Sequence, residues 1–252
     1  MSFDNKVAIV TGAGSGFGAA TARLFAARGA AVVASDINLD GAEQTAAAIE
    51  QSGGSAIAVK TDVRRSEDMQ ALIAAACDRF GGIDVVVNNA GLGHRAAPMH
   101  ELSEADYDLV FDTNTKSIFW SVKYAVPKLI ERGGGAIVNV ASIGAKRPRP
   151  LGAAYNASKG AVATMTRAVA AELARHKIRV NAVCPLASET GFFKTTGIEK
   201  LSDKARERMI SEVPLRRLTE PRDVANAIVF LASEQAEFLT GILLDVDGGK
   251  GI

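Results

Sequence analysis

Short apolar runs alternate with longer, Ala-rich stretches of helical periodicity almost to the end of this 252-residue chain. Near-continuous runs of Val, Ile and Ala separated by helices are typical of parallel strands that are buried on both faces. The runs that we assign as strands are Val7–Val10, Ala31–Ser35, Ser55–Lys60, Val85–Asn88, Ala136–Val140, Arg179–Cys184 and Ile242–Val246. The pattern therefore predicts an α/β fold, a doubly wound seven-stranded parallel sheet with helices on both faces.

The composition is that of one ordinary globular domain over residues 1–252, because 48% of the residues are hydrophobic and no Pro/Ser-rich linker divides the chain. A formal net charge of +1 gives no reason to expect nucleic-acid or membrane partners. The start, Met1–Lys6, lacks the apolar run of a signal peptide. Cys77 and Cys184 show neither metal-ligand spacing nor a disulfide framework. We expect a cytoplasmic protein without a metal site.

A glycine-rich turn at residues 11–18 follows the first strand and precedes a helix predicted over Ala19–Arg28. Glycines in this position let the backbone approach a pyrophosphate, whose charge sits at the helix N-terminus. The alternative is a flexible turn without a ligand. The residues expected to contact a dinucleotide here are Gly12, Ser15, Gly16, Phe17 and Gly18.

Asp36 ends the second strand, 24 residues after Gly12. A carboxylate there can accept hydrogen bonds from the adenosine ribose hydroxyls, and it would repel a 2′-phosphate. Neither Ser15 nor Ile37 supplies a cation for that phosphate. The sequence favours NAD over NADP, although Asp36 could also be a solvated residue at a strand end.

Two further strand ends carry candidate cofactor contacts. Asp62 could accept from the adenine amino group while Val63 packs on the ring, but Asp62 could equally be a helix N-cap. After the fourth strand come Asn89, Ala90 and Gly91, where the glycine leaves room for the cofactor and the amides can tie strands together. A tight turn is the alternative, because Asn and Gly dominate turns.

Tyr155 and Lys159 stand four residues apart at the start of an Ala-rich helix that runs to about Leu173. Side chains at i and i+4 share one helix face, so the phenol and the amine point into the same space. A neighbouring cation and a helix N-terminus both favour a phenolate. Ser142, thirteen residues upstream of Tyr155, offers a hydroxyl to a substrate oxygen. The pattern indicates proton transfer, although a solvated Tyr–Lys pair is the common alternative.

These motifs together resemble the classical short-chain dehydrogenase/reductase family from Lys6 to the C-terminus. The matching pieces are Thr-Gly-x-x-x-Gly-x-Gly at 11–18, Asn-Asn-Ala-Gly at 88–91, Asn114 in a helix predicted from about Glu104 to Ile130, Ser142, Tyr155-x-x-x-Lys159 and Asn181-x-x-x-Pro185. The resemblance implies a Rossmann-type fold, a nicotinamide cofactor and hydride transfer at a secondary alcohol or carbonyl group.

The resemblance also implies roles for four residues. Tyr155 would be the general acid–base, and Ser142 would position and polarise the substrate oxygen. Lys159 would bind the nicotinamide ribose and lower the pKa of Tyr155. Asn114 would hold a water in a proton relay behind Lys159.

One departure from the family lies after the sixth strand, where Leu186 replaces a glycine. A leucine does not easily adopt a positive φ angle. By resemblance, Pro185, Ser188 and Thr190 would still contact the nicotinamide end of the cofactor.

The segment from about 186 to 213 is predicted to be a substrate lid, since long non-strand segments in compact domains are often lids. A fixed surface helix is the alternative. We expect His94 and Phe192 to contact the substrate, together with Ser142 and Tyr155. The arginines at 95, 147 and 149 could bind an anionic substrate or be merely solvated.

The leading interpretation is an NAD-dependent dehydrogenase of a polyol, sugar, hydroxy acid or cyclic alcohol. A 3-oxoacyl-[acyl-carrier-protein] reductase is the alternative, with a basic docking face formed by Lys128, Arg132, Arg175 and Lys177. A non-catalytic nucleotide sensor would have lost at least one of the three central residues, and this chain has all of them. The C-terminal segment 245–252 resembles one that lies at a subunit interface in the family, which implies a homotetramer.

Overall fold

The computed structural model of the chain describes residues 1–188, 192–197 and 202–252. Within these residues, seven strands form: β1 (Val7–Thr11), β2 (Ala31–Asp36), β3 (Ser55–Lys60), β4 (Val85–Asn88), β5 (Gly135–Val140), β6 (Ile178–Pro185) and β7 (Leu243–Val246). They make one parallel sheet in the order β3-β2-β1-β4-β5-β6-β7. The predicted doubly wound sheet is confirmed.

The helices in the described residues are α1 (Gly16–Ala26), α2 (Leu39–Gln51), α3 (Ser66–Phe80), α4 (Glu104–Phe111), α5 (Ser117–Glu131), α6 (Ala153–Leu173), α7 (Phe192–Thr195), α8 (Asp203–Ser211) and α9 (Pro221–Ala232). Helix α1 begins at Gly16 rather than at the predicted Ala19. Two of the four glycines of the turn, Gly16 and Gly18, therefore belong to the first helical turn and not to a preceding loop.

Successive strand residues enter two different cores, as a sheet covered on both faces requires. In β1, Ala8 and Val10 join the core beneath α1, α2 and α9, whereas Ile9 joins the core beneath α3, α5 and α6. All three side chains are fully buried. Burial on both sides explains why the strands are continuous apolar runs in the sequence.

The predicted helix from Glu104 to Ile130 is divided by a wider turn at Asp112–Lys116, in which Ser117 N–H donates to the carbonyl oxygen of Asp112. Such i→i+5 turns are rare and occur frequently at functional sites. This turn contains Asn114.

The strand order places β1 between β2 and β4, so the chain crosses from β3 at one edge to β4 in the middle of the sheet. In sheets of this kind the crevice for a ligand opens beyond the carboxyl ends of the strands at that reversal. The residues that follow β1, β2, β4 and β5 are therefore brought to one edge.

Candidate active site

A cavity of about 640 Å³ opens at this edge of the sheet. It gathers predicted residues from eight separate segments: Gly12, Ser15, Gly16, Phe17, Asp36, Asp62, Val63, Asn89, Ala90, Gly91, Ser142, Tyr155, Lys159, Pro185, Ser188 and Phe192. Of the other predicted residues, Gly18, His94 and Asn114 are not on its wall, and Thr190 lies outside the described residues.

The glycine turn presents an open helix N-terminus to this cavity. Ser15 precedes α1 in an extended conformation, and its side chain makes no capping hydrogen bond. The first amides of a helix have no partner within the helix, so here they are free to meet an anion. Gly12 and Gly16 have φ angles of 65° and 53°, which favour glycine. These features fit the pyrophosphate of a dinucleotide.

Gly18 has a packing role, and the cofactor contact that the sequence predicts for it stays a prediction. A Cβ atom at Gly18 would lie 2.0 Å from the carbonyl oxygen of Gly12 and 2.6 Å from Asn89 Nδ2. Asn89 Nδ2 donates to the carbonyl oxygen of Thr11 at 2.8 Å. The absent side chain therefore allows α1 to sit against the turn while Asn89 ties the turn to the end of β4.

The Asp36 carboxylate is held by two main-chain amides. Gly14 N–H donates to Oδ2 and Asn38 N–H donates to Oδ1, each at 2.9 Å. A Cβ atom at Gly14 would lie 2.9 Å from Oδ2, so a glycine is needed for this contact. The charge is thereby fixed at the cavity wall beside the glycine turn.

Asp62 is not a helix N-cap, because α3 begins at Ser66 with Arg65 before it. Its carboxylate instead accepts from Arg64 Nε at 2.8 Å, and this hydrogen bond is the largest cause that lowers the pKa of Asp62. Asp62 and Val63 both line the cavity. The adenine contact stays a prediction, and it would have to share the carboxylate with Arg64.

Buried amides tie the strands together below the cavity. Asn88 Nδ2 donates to Asn139 Oδ1 at 2.8 Å, and Asn139 Nδ2 donates to Thr166 Oγ1 at 2.9 Å. The chain of hydrogen bonds joins β4, β5 and α6. The sequence analysis missed Asn139, although an amide inside an otherwise apolar strand was the signal for it.

Ser142, Tyr155 and Lys159 converge on the same cavity wall. Ser142 follows β5, and its Oγ accepts from Gly144 N–H at 3.0 Å. Tyr155 lies in the first turn of α6, and Lys159 one turn later donates from Nζ to the carbonyl oxygen of Val140 at 2.8 Å. The predicted shared helix face therefore brings the phenol and the amine to the strand that carries the serine.

The pKa directions at this wall differ from the sequence prediction. Burial raises the pKa of Tyr155, and the hydrogen bond from Ser142 lowers it by less. Burial also lowers the pKa of Lys159 to about 8. Lys159 is not among the causes that shift this pKa, because its amine is directed to a carbonyl oxygen, and the predicted lowering of the Tyr155 pKa by Lys159 stays a prediction.

Asn114 lies behind the cavity and is 1% exposed. Its Nδ2 donates to the carbonyl oxygen of Leu92 at 2.9 Å and to Ser158 Oγ at 3.0 Å, while its Oδ1 accepts from Leu92 N–H at 2.9 Å. A Cβ atom at Gly91 would lie 3.1 Å from both Asn114 Oδ1 and Lys159 Nζ. Asn114 and Lys159 thus flank the same small space, while the relay water stays a prediction.

The substrate contacts predicted from sequence have different outcomes. The ring of Phe192, the first residue of α7, lies 5.4 Å from that of Tyr155 between centroids, at the cavity wall. His94 is instead buried beside the cavity, with Nδ1 2.8 Å from the Arg95 carbonyl oxygen. Its side chain is engaged with its own loop, which is why it does not reach the wall.

Leu186 does not adopt a positive φ angle, so the loop needs no glycine there. Its N–H donates to the carbonyl oxygen of Val246 at 3.1 Å, and its side chain is 5% exposed. Pro185 and Ser188 on either side of it line the cavity.

A family profile described as Enoyl-(Acyl carrier protein) reductase matches residues 12–250. 4-Formylbenzenesulfonate dehydrogenase TsaC1/TsaC2 from Comamonas testosteroni is 44% identical over 253 residues, covering 100% of this chain and 100% of that protein. The chain belongs to the short-chain dehydrogenase/reductase family. It is an oxidoreductase of that family.

Two other members of the family are similar over almost their whole length. Cis-4-hydroxycyclohexanecarboxylate dehydrogenase from Sinomonas cyclohexanicum is 42% identical, covering 98% of this chain and 97% of that protein. The crystal structure of 3-ketoacyl-(acyl-carrier-protein) reductase from Brucella melitensis complexed with NADH has a TM-score of 0.91 and 42% identity, with 100% of both chains covered.

Proposed function

We propose that this chain is an NAD-dependent oxidoreductase that interconverts a secondary alcohol and a ketone, with Tyr155 as the general acid–base. One observation carries the proposal. Tyr155, Ser142 and Lys159 line the same cavity as the glycine turn and Asp36, which supports one common site for the proposed proton transfer and dinucleotide binding. Tyr155 occupies the first turn of α6, where the helix N-terminus also favours a phenolate.

A nicotinamide bound at this wall would supply or accept the hydride. The Tyr155 hydroxyl gives its proton to the substrate oxygen during reduction and takes it back during oxidation. Ser142 donates a second hydrogen bond to the same oxygen and so stabilises the charge that develops on it. Lys159 provides a buried cation one helical turn from the phenol. Its ammonium group is fixed by the hydrogen bond to the carbonyl oxygen of Val140 and would donate to a ribose hydroxyl bound there.

Asp36 supports NAD over NADP. Its carboxylate is hydrogen-bonded to Gly14 N–H at the cavity wall, so its negative charge is held in place and would repel a 2′-phosphate. Arg64, which also lines this end of the cavity, donates to Asp62, and this engagement reduces its availability to a phosphate.

The substrate that we favour is a cyclic alcohol. Two of the relatives named above, from Comamonas testosteroni and Sinomonas cyclohexanicum, act by their names on a ring-bearing aldehyde and on a ring alcohol. The cavity wall near Tyr155 combines apolar side chains, among them Ile143 and Phe192, with the Ser142 hydroxyl. An apolar ring with one oxygen directed at Tyr155 suits such a wall.

A 3-oxoacyl-[acyl-carrier-protein] reductase is the second candidate, and it is favoured by the similarity to the Brucella melitensis enzyme. That structure contains NADH, so Asp36 alone does not decide against this reaction. The expected basic docking face is weakened in the structure. Lys128 pairs with Glu131 at 2.8 Å, and Arg132 pairs with Asp84 at 3.3 Å.

The test is a panel of cyclic secondary alcohols, the corresponding ketones and a 3-oxoacyl thioester, followed by NADH absorbance in both directions. We expect the ring compounds to be turned over, and Tyr155→Phe to lower kcat by about 10²–10⁴-fold while NADH still binds. Tyr107→Phe is the matched control, because it removes a phenol hydroxyl outside the cavity. Near-normal kcat in Tyr155→Phe, or turnover of the thioester alone, would reject the proposal.

We also propose a cytoplasmic homotetramer. Both cysteines are free thiols, as in a reducing compartment. Phe238 and Ile252 are 99% and 97% exposed, which favours burial in an assembly. In the described part of the chain, no helix is both long enough and apolar enough to cross a membrane. Light scattering coupled to size-exclusion chromatography measures the assembly, and a monomer at micromolar concentration would contradict the proposal.

A further inference from the structure

The charged residues of the cavity are distributed unevenly. The two acidic residues among those that line it, Asp36 and Asp62, follow β2 and β3. Arg147 and Arg149 line the other part of the cavity, on the loop between β5 and α6 that also carries Ser142. The part of the wall that surrounds Tyr155 is therefore positively charged.

Neither of the two arginines is held in a direct ion pair by the described part of the chain. The neighbouring Lys146 pairs with Asp245 at 2.6 Å, and Glu212, the carboxylate whose pKa is affected by Arg149, is paired with Lys250 at 2.7 Å. Among the described residues, neither Arg147 nor Arg149 has an ion-pair partner within 4.0 Å. Their guanidinium groups are thus available to a ligand in the cavity.

The backbone that carries these arginines is restrained. Each arginine is followed by a proline, which limits the backbone of the residue before it to extended conformations. The carbonyl oxygen of Arg149 accepts from Asn156 Nδ2 at 2.9 Å, and Arg147 N–H donates to the carbonyl oxygen of Ile143 at 2.8 Å. Leu151 then takes a φ angle of 63°, unusual for leucine. Strain in such loops is found where a functional group must be positioned.

We propose that Arg147 and Arg149 bind an anionic substituent, a carboxylate or a sulfonate, on the far side of the substrate ring from the reacting oxygen. The inference rests on the proposed function, because it takes Tyr155 as the end of the cavity where that oxygen is held. Guanidinium groups match the geometry of carboxylate and sulfonate oxygens and carry a permanent charge. The pair makes the enzyme selective for ring alcohols that bear an acid group.

The experiment compares 4-hydroxycyclohexanecarboxylate and 4-hydroxycyclohexanesulfonate with the neutral 4-hydroxycyclohexanecarboxamide. Each is assayed with the unmodified protein, Arg147→Gln, Arg149→Gln, the double variant and Arg149→Lys. Arg23→Gln is the matched control, because it removes the same charge from an exposed position of α1 outside the cavity. Calorimetric titration of the three corresponding ketones into the NADH complex gives affinities that do not depend on turnover.

We expect kcat/KM to favour the anions over the amide by about tenfold to a hundredfold, chiefly through KM, because charge-assisted hydrogen bonds contribute that much. The double variant should bring the ratio close to one, Arg149→Lys should keep part of it, and Arg23→Gln should leave it unchanged. The ratio should also fall with added salt, since both arginines are exposed residues of the cavity wall.

Three results would each overturn the inference. The amide could be used as well as the anions, the preference for the anions could persist in the double variant, or the anionic and neutral ketones could bind with equal affinity. The two anions are compared separately, so a preference confined to one of them identifies the acid group. If none of the three alcohols is oxidised, the proposed function is at fault. The calorimetric comparison of anion with amide still decides the role of the arginines in that case.

Discussion

The Nζ atom of Lys159 lies 2.8 Å from the carbonyl oxygen of Val140, the last residue of β5, two positions before Ser142. Lys159 as a whole residue is only 4% exposed. The partner of its amine is a neutral carbonyl group and not a carboxylate. Its charge is consequently only partly compensated, which is the physical reason that its pKa falls to about 8. The position of this cation therefore opposes the stability of the free protein.

Lys159→Met should remove a pH dependence of stability. Below about pH 8 the amine is protonated in both the folded and the unfolded state, and folding bears the full cost of burying the charge. Between about pH 8 and the ordinary value of 10.5, only the unfolded state keeps the proton, so the free energy of unfolding rises with pH. The total change for this group is about 3 kcal/mol.

Denaturant unfolding of the unmodified protein and of Lys159→Met, without cofactor, measures this effect at about pH 7 and about pH 10. The stability difference between the two proteins should change by up to about 3 kcal/mol, with the variant relatively more stable at the lower pH. An identical difference at both values would show that Lys159 does not bury an uncompensated charge.

Asp36→Asn should reduce the preference for NAD over NADP in kcat/KM by about tenfold or more, because the repulsion of the 2′-phosphate disappears. The amide oxygen can still accept from Gly14 N–H, so the glycine turn should keep its shape, while the hydrogen bond from Asn38 N–H is lost. Asp40→Asn, at an exposed position in the first turn of α2, is the control for charge alone. If the unmodified protein already prefers NADP, the role given to Asp36 is wrong.

Gly18→Ala should destabilise the protein by about 3 kcal/mol and weaken NADH binding, because the added Cβ meets main-chain atoms that must shift. Gly160→Ala in α6 adds the same atom where no other atom lies within 4 Å, and we expect a gain of about 1 kcal/mol from helix propensity. Thermal unfolding and fluorescence titration with NADH measure both. A tolerated Gly18→Ala would contradict the tight contact between α1 and the turn.

Chelation with EDTA should leave NADH formation unchanged. In the part of the chain that the structure describes, no group of three or more His, Cys, Asp or Glu residues is placed to hold a metal ion. In the proposed mechanism the reacting oxygen would instead receive hydrogen bonds from the hydroxyl groups of Ser142 and Tyr155. Activity that is lost with EDTA and restored by added zinc or magnesium would reveal a metal requirement.

The periodicity of the sequence predicts the positions of the strands closely. Strands buried on both faces of a sheet appear in the sequence as short, nearly continuous apolar runs, which are easily distinguished from the helices between them. The position of the shared face of Tyr155 and Lys159 follows equally from helix geometry. The wider turn at Asp112–Lys116 is not predictable in this way, since local propensity does not distinguish it from a continuous helix. The turn contains Asn114, whose side chain is hydrogen-bonded to Leu92 and Ser158, contacts that are distant in the sequence.

Burial decides the other outcomes that the sequence does not predict. The pKa of Tyr155 depends on how far the surrounding residues remove its phenol from water. The spacing of residues along the chain carries no information about this desolvation. His94 is likewise a candidate substrate contact in the sequence, whereas in the structure its ring is hydrogen-bonded to the carbonyl oxygen of Arg95 in the same loop. Gly18 belongs to a recognisable motif, but the motif does not reveal how closely the carbonyl group of Gly12 and the side chain of Asn89 approach it.

The strand order separates Asp36, which we propose to select the cofactor, from the strand that precedes Arg149, which we propose to select the substrate. Asp36 ends β2 and Arg149 follows β5, with β1 and β4 between those two strands. Three strand spacings amount to about 14 Å, beyond the range in which paired substitutions usually interact. An engineer could therefore exchange the nucleotide specificity and the acid-group specificity independently, and the gains should multiply in kcat/KM.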